Sequence, residues 1–168
     1  MLSSTEIKDL LNKDIILEPY SDGALNASGY DAACSFDVVL PPLSWGLAST
    51  SEKITLSNSI SACIFIRSSL AREGIFGSFA LIDPGFSGNL TISLFNASDK
   101  EVTLHRGERV VQISFFKLLK PTDRPYSGKY QNSKGVVKSK RGETLEGSLP
   151  RRKKAYERSR RSKNYKKN

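Results

Sequence analysis

Cysteine and histidine are nearly missing from this chain of 168 residues. It holds two cysteines, Cys34 and Cys63, and one histidine, His105. The shortage excludes several chemistries. The two cysteines are far apart and no Cys-x-x-Cys occurs, so four zinc ligands cannot be gathered without an unusual set of carboxylates. The His-x-Glu plus Pro-Cys-x-x-Cys signature of zinc nucleobase deaminases is absent. A Ser-His-Asp triad would have to use His105, which lies in Leu-His-Arg-Gly-Glu-Arg beside an expected turn and reads as a solvent-facing residue. The cysteines read as small core hydrophobes in a reducing compartment. Long apolar runs are lacking too. No stretch approaches the roughly 18 residues of a membrane helix, so no membrane partner is expected. The first residues, Met1 to Lys13, lack the layout of a signal peptide, and a cytoplasmic protein is expected.

Charge of one sign is confined to one end. Residues 138–168 carry 13 Lys/Arg and 3 Glu, whereas residues 1–137 carry 13 Lys/Arg and 14 Asp/Glu. The net charge of +9 therefore belongs to a tail, and the body is nearly neutral. A basic body gripping nucleic acid along one face is disfavoured. The division expected is a domain over 1–139 and a basic, disordered tail over 140–168. For the tail, a solvated extension is the first reading. Weak, salt-dependent nucleic-acid binding is the second, carried by Arg151-Arg152-Lys153-Lys154 and the basic residues of 158–163.

What is present is a series of short apolar runs cut by turns. Ser3 and Glu6 form a capping-box pattern ahead of Ile7, Leu10 and Leu11, which predicts a short helix over about 4–12. Strands are predicted at 15–17, 34–40, 53–57, 62–67, 89–95, 101–104 and 109–118. Turn signals such as Ser-Asp-Gly at 21–23, Asp-Pro-Gly at 83–85 and Asn-Ala-Ser-Asp at 96–99 separate them. Many short strands and one helix indicate an all-β barrel or sandwich.

Three polar clusters interrupt the strands. Arg67-Ser68-Ser69-Leu70-Ala71-Arg72 follows an apolar run, and a guanidinium beside two hydroxyls can hold phosphate oxygens. Asp83 tips a second run within Ile82-Asp83-Pro84-Gly85-Phe86-Ser87-Gly88. Gln112 sits on a strand after the turn Arg106-Gly107-Glu108. Taken singly, each is also what a capped turn, a turn aspartate or a plain hairpin would show.

In this order and spacing the clusters resemble the trimeric dUTPase and dCTP deaminase superfamily. The resemblance extends to Gly29-Tyr30-Asp31, to Leu94-Phe95-Asn96 and to a closing arm, Tyr126-x-Gly128-Lys129-Tyr130-Gln131, and covers about residues 1–139. The pattern is most like an archaeal-type dUTPase built on a dCTP deaminase-like scaffold. The resemblance implies a distorted β-barrel or β-clip, a homotrimer with nucleotide sites between subunits, and pyrimidine deoxynucleoside triphosphates as substrates.

The resemblance also separates two activities. Deaminases of the family carry a Glu in a Thr-x-Glu-Leu strand; the matching stretch is Thr91-Ile92-Ser93-Leu94, with Ser93 in the Glu position. Strand alternation places Leu90, Ile92 and Leu94 on a core face and Thr91, Ser93 and Phe95 on the other. A serine is a poor general base, and losing that base costs roughly 10²–10⁴ in rate. The hairpin carboxylate that dUTPases use on water is kept as Asp83. The expected reaction is dUTP hydrolysis to dUMP and pyrophosphate with Mg²⁺. A dCTP deaminase or bifunctional enzyme is the alternative, and a non-catalytic nucleotide binder the second.

The roles implied are these. Asp83 is the base for water. Arg67, Ser68 and Arg72 hold phosphates, with Ser69 completing their turn. Gln112 contacts phosphate or nearby water. Tyr126, Lys129 and Gln131 belong to the arm closing on the triphosphate. Phe79, Phe86 and Ser93 border the base and sugar. Mg²⁺ rides on the phosphates, with Asp31 reaching it through water. Phe79-Ala80 departs from the family's small Ala-Gly pair, and Phe86 stands where dUTPases often have Tyr.

Overall fold

The computed structural model describes residues 1–143; the basic segment from residue 144 onward, including Arg151 to Lys163, lies outside the described residues. Residues Met1–Lys138 form one compact unit. The chain starts with α1 (Ser4–Leu10) and continues β1 (Ile15–Glu18), a 3₁₀ turn (Asp22–Ala24), β2 (Leu25–Asn26), β3 (Gly29–Ala33), β4 (Val38–Leu40), β5 (Trp45–Leu56) and β6 (Ile60–Ile66). Then come α2 (Ser68–Arg72), β7 (Ile75–Gly77), β8 (Ala80–Ile82), β9 (Ser87–Asn96), β10 (Val102–Leu104) and β11 (Arg109–Lys117).

The strands pair in a four-stranded sheet β1-β5-β9-β7, a five-stranded sheet β2-β3-β11-β6-β8 and a ribbon β10-β4. The chain is all-β in class, but the described residues form separate sheets and no closed barrel. Inward residues of all three share one core: Ile54 and Ile92 from the first sheet, Ile64 and Ile113 from the second, Leu40 and Leu104 from the ribbon. Along β9, Leu90, Ile92 and Leu94 are buried while Ser93 and Phe95 are exposed, the alternation that a half-buried strand imposes.

Local chemistry explains where elements begin and end. Ser3 Oγ accepts the Glu6 amide at 3.3 Å, and Glu6 Oε2 accepts the Ser3 amide at 2.8 Å, closing the capping box. The helix stops at Leu10, short of the predicted residue 12, because Leu11 already turns extended at ψ 141° and Asn12 follows in the left-handed region at φ 59°. The predicted strand over 34–40 survives only as β4. Cys34 makes one isolated bridge to Thr50, and Asp37 Oδ1 turns aside to accept the Arg106 amide at 2.7 Å. The first half of β5 was not predicted. Its Ser49, Thr50 and Glu52 are buried around a bulge between Ser49 and Lys53. A second short helix, α2, was also unpredicted; the buried Leu70 anchors it.

Candidate active site

The hairpin that carries Asp83 forms one half of the site. β8 ends at Ile82, the Asp83 side chain is exposed, and Gly85 takes the left-handed φ of 82° that tightens the turn into β9. Beside it lies a pocket of about 400 Å³. Ala80, Ile82, Phe86 and Leu90 supply apolar wall, and Asp83, Asn89 and Thr91 supply polar edge. Asp83 is the only acid among the described residues that line it. The arm completes the enclosure with Tyr126, Tyr130, Ser133 and Val137. Phe86 is nearly buried and meets Tyr126 edge to face, with ring centres 5.7 Å apart.

The arm residues make specific contacts within the chain. The Tyr126 amide donates to Pro84 O at 2.8 Å. Gln131 does not project outward: its Oε1 accepts the Ser87 amide at 3.0 Å and its Nε2 donates to Gly85 O at 2.8 Å. Lys129 is half-buried in the same arm. The arm then runs along β9, with Asn132 N donating to Ser87 O at 2.7 Å and Asn89 N donating to Ser133 O at 2.9 Å. The Thr91 hydroxyl accepts the Val137 amide at 3.0 Å. Ser93 lies farther along β9, is exposed, and does not line the pocket; its amide donates to Ser78 Oγ at 3.2 Å.

The second half gathers around β3, β6 and β11. Asp31 on β3 is paired in register with Gln112 on β11, which in turn faces Phe65 on β6. The Asp31 side chain is 7% exposed, and its Oδ2 lies 3.0 Å from Arg67 Nε. Its Oδ1 accepts Asn26 Nδ2 at 2.7 Å. Arg67 also donates from Nη1 to Arg109 O at 3.1 Å. The guanidinium is thus held by a carboxylate and a carbonyl while remaining about one-third exposed (35%). Ser68 and Ser69 open α2 and are exposed, and Arg72 is exposed at its end. Gly29 explains its own identity: an added Cβ would stand 2.8 Å from Ile113 O and 3.1 Å from Gln112 Nε2.

Within one chain the strand register sets the two halves apart along β6. Ile82 pairs with Ala62, and Arg67 follows five residues along the same line from Ala62, about 16 Å at the strand rise of about 3.3 Å per residue. Phe79 belongs to the Arg67 side: it is 72% exposed and its ring meets Phe65 edge on, with centres 6.3 Å apart. Asn89 and Glu52 were not singled out in the sequence, and Tyr130 was named there only within the arm motif. Asn89 Nδ2 reaches the carbonyls of Thr50 and Glu52, each at 3.1 Å, and so braces the β5 bulge against the pocket. Glu52 is buried, with Oε2 accepting the Ala33 amide at 3.0 Å, and burial pushes its carboxyl above the ordinary range.

Comparison with known proteins follows the same lines. The sequence pattern of a dCTP deaminase-like family matches residues 35–118. A dCTP deaminase of Pyrococcus abyssi is 43% identical over 146 residues, covering 78% of this chain and 95% of that protein. A probable deoxyuridine 5′-triphosphate nucleotidohydrolase of Sulfolobus islandicus rod-shaped virus 1 is 34% identical over 156 residues, covering 83% and 98%. Among solved structures, a dUTPase of Staphylococcus bacteriophage 80alpha, determined with dUpNHpp, superposes with a TM-score of 0.53. It is 17% identical and covers 68% of this chain and 97% of its own, a likeness of fold.

Proposed function

This chain belongs to the dCTP deaminase-like family, and from that premise we propose that it is a dUTP diphosphatase. The observation that carries the reading is the placement of acids. Asp83 is the only carboxylate on the described pocket lining, it stands at the exposed edge of the pocket, and position 93 on β9 carries a hydroxyl. An acid at the mouth serves water attacking a phosphate. The carboxylate that a family deaminase brings to the base is missing from β9.

In the proposed reaction, uracil enters the apolar pocket beside Phe86 and the α-phosphate lies at Asp83. Water adds to the α-phosphorus, its proton passes to the Asp83 carboxylate, and the bond to the bridging oxygen breaks to release pyrophosphate. Arg67, Ser68 and Arg72 hold phosphate oxygens, Ser69 presents them, and Gln112 reaches phosphate or nearby water. Phe79 stands on the phosphate-binding half and crowds the sugar. Mg²⁺ fits as a companion of the triphosphate: both Asp31 oxygens already accept one protein donor, and each keeps a lone-pair site for a water of the ion. When bound, the ion neutralises charge on the departing pyrophosphate.

The backbone separation of about 16 Å along β6 favours a shared site. With the Arg67 guanidinium turned to Asp31, a second copy is the proposed source of the Arg67 half that meets the first copy's hairpin, repeated around a homotrimer. The basic tail takes no part in turnover.

Product analysis tests the reading. With Mg²⁺, dUTP should give dUMP and pyrophosphate, and dCTP should give no ammonia. The identity with the Pyrococcus abyssi dCTP deaminase favours deamination as the second reading. Ammonia from dCTP would establish it and overturn the first.

A further inference from the structure

The arm does more than cover the pocket. Two hairpin glycines have no side chain because arm atoms occupy the place where one would go. A Cβ on Gly85 would stand 2.6 Å from Pro125 Cβ, and a Cβ on Gly88 would stand 2.6 Å from Ser133 Oγ and 2.8 Å from Ser133 N. The contact is therefore written into both segments. Between these two glycines the hairpin backbone leaves a carbonyl, Gly85 O, and an amide, Ser87 N, facing the arm. One side chain satisfies both: Gln131 donates to the first at 2.8 Å and accepts from the second at 3.0 Å. An amide is the side-chain group that offers a donor and an acceptor side by side. It substitutes for a strand's peptide unit across a turn too tight to carry a strand.

We propose that Gln131 is a positioning residue for the Asp83 hairpin. By bonding both ends of the Gly85–Ser87 segment, it sets the reach of the carboxylate two residues before it, and it does so without touching the nucleotide. This assignment rests on the reading of Asp83 as the base for water. It also differs from a direct contact of Gln131 with the triphosphate, since the side chain's oxygen and nitrogen are each engaged by the chain's own backbone.

Three variants of the full chain test it: Gln131→Glu, Gln131→Asn and Gln131→Ala. The readouts are dUTP turnover, the Kd for a non-hydrolysable dUTP analogue, and hydrogen exchange at the Ser87 amide. In Gln131→Glu at neutral pH, the introduced carboxylate would still accept from Ser87 but would set its other oxygen against Gly85 O. Protonation would restore the donor. The expected result for Gln131→Glu is a kcat lowered by about tenfold to a hundredfold, the penalty of a misplaced reacting group, with analogue Kd changed less than about twofold. Its kcat relative to the native enzyme should recover as pH falls toward the carboxyl's titration. Gln131→Asn, one methylene short, and Gln131→Ala should lose Ser87 protection and kcat together. A raised analogue Kd at unchanged kcat would overturn the assignment in favour of a triphosphate contact. Ser87 protection unchanged in all three variants would also overturn it. The exchange readout stands even if the chain proves inert toward dUTP, so failure of the positioning role and failure of the diphosphatase reading are separable.

Discussion

The Arg67 guanidinium meets the Asp31 carboxylate at 3.0 Å, with the aspartate 7% and the arginine 35% exposed. The pair joins the end of β6 to the middle of β3 and presents the rest of the guanidinium outward. Its unequal burial makes the two partners unequal in mutation. Arg67→Ala leaves a buried carboxylate with Asn26 as its one side-chain partner among the described residues, and should cost about 1–3 kcal/mol of stability, less than breaking a fully buried pair because the arginine is partly solvated. Removing both, in Arg67→Ala with Asp31→Ala, should recover part of that loss. Urea unfolding of the two variants measures it; equal losses in both would contradict the pairing.

The proposed division of the site between subunits predicts complementation. Asp83→Asn and Arg67→Ala chains should each be inactive alone. Denatured together and refolded, they should form mixed assemblies in which some sites combine an intact hairpin with an intact Arg67 half. Turnover should rise well above the sum of the parents. No gain on mixing, with mixed assemblies shown to be present, would place both halves in one chain.

The hairpin glycines should be intolerant of a methyl group for a reason specific to the arm. Gly88→Ala, at φ 150° and with Ser133 within 2.6 Å of the new carbon, should cost about 1–3 kcal/mol and leave the segment 126–137 more readily cut by protease. Gly107→Ala is the control. It carries a backbone penalty of its own at φ 84° but meets no atom within 4 Å, so stability should fall without new cleavage in the arm. Equal arm cleavage in both variants would show that the close packing against Ser133 is not what holds the arm.

Glu52 provides a pH signature. Burial raises its folded-state pKa, while the Ala33 amide and the nearby Arg109 charge act the other way and Tyr30 lies against it. Because the folded chain binds this proton more tightly than the unfolded chain, the associated stability is complete below the ordinary value of 4.5 and is lost as pH rises through the raised one. Glu52→Gln has no such proton. The stability difference between variant and native protein should therefore shift in the variant's favour as pH rises above 4.5. A difference independent of pH would show that Glu52 titrates normally.

The hairpin carboxylate, the arginine-serine turn and the alternation of β9 were legible in the sequence because each depends on neighbours in the chain. Asp83 sits between an apolar run and Pro84-Gly85, and Leu90, Ile92 and Leu94 alternate with Thr91 and Ser93. The parts that escaped depend on partners far along the chain. The arm motif marked Gln131, but its backbone partners lie 44 and 46 residues away, and no local pattern shows what it bonds. Asn89 braces a bulge 37 to 39 residues distant. The first half of β5 reads as a polar loop because Ser49 and Thr50 are buried to serve that bulge. The separation of Arg67 from Asp83 needed the pairing of β6 with β8, which sets the Asp83 hairpin beside the start of β6 and leaves Arg67 past its end.

The most direct test follows the attacking oxygen. Native protein and Asp83→Asn would be given dUTP with Mg²⁺ in heavy-oxygen water, and the label located in the products. The account predicts label in dUMP, none in pyrophosphate, and a rate lower by roughly 10²–10⁴ in Asp83→Asn with analogue binding retained. Label in pyrophosphate, or full turnover by Asp83→Asn, would contradict it.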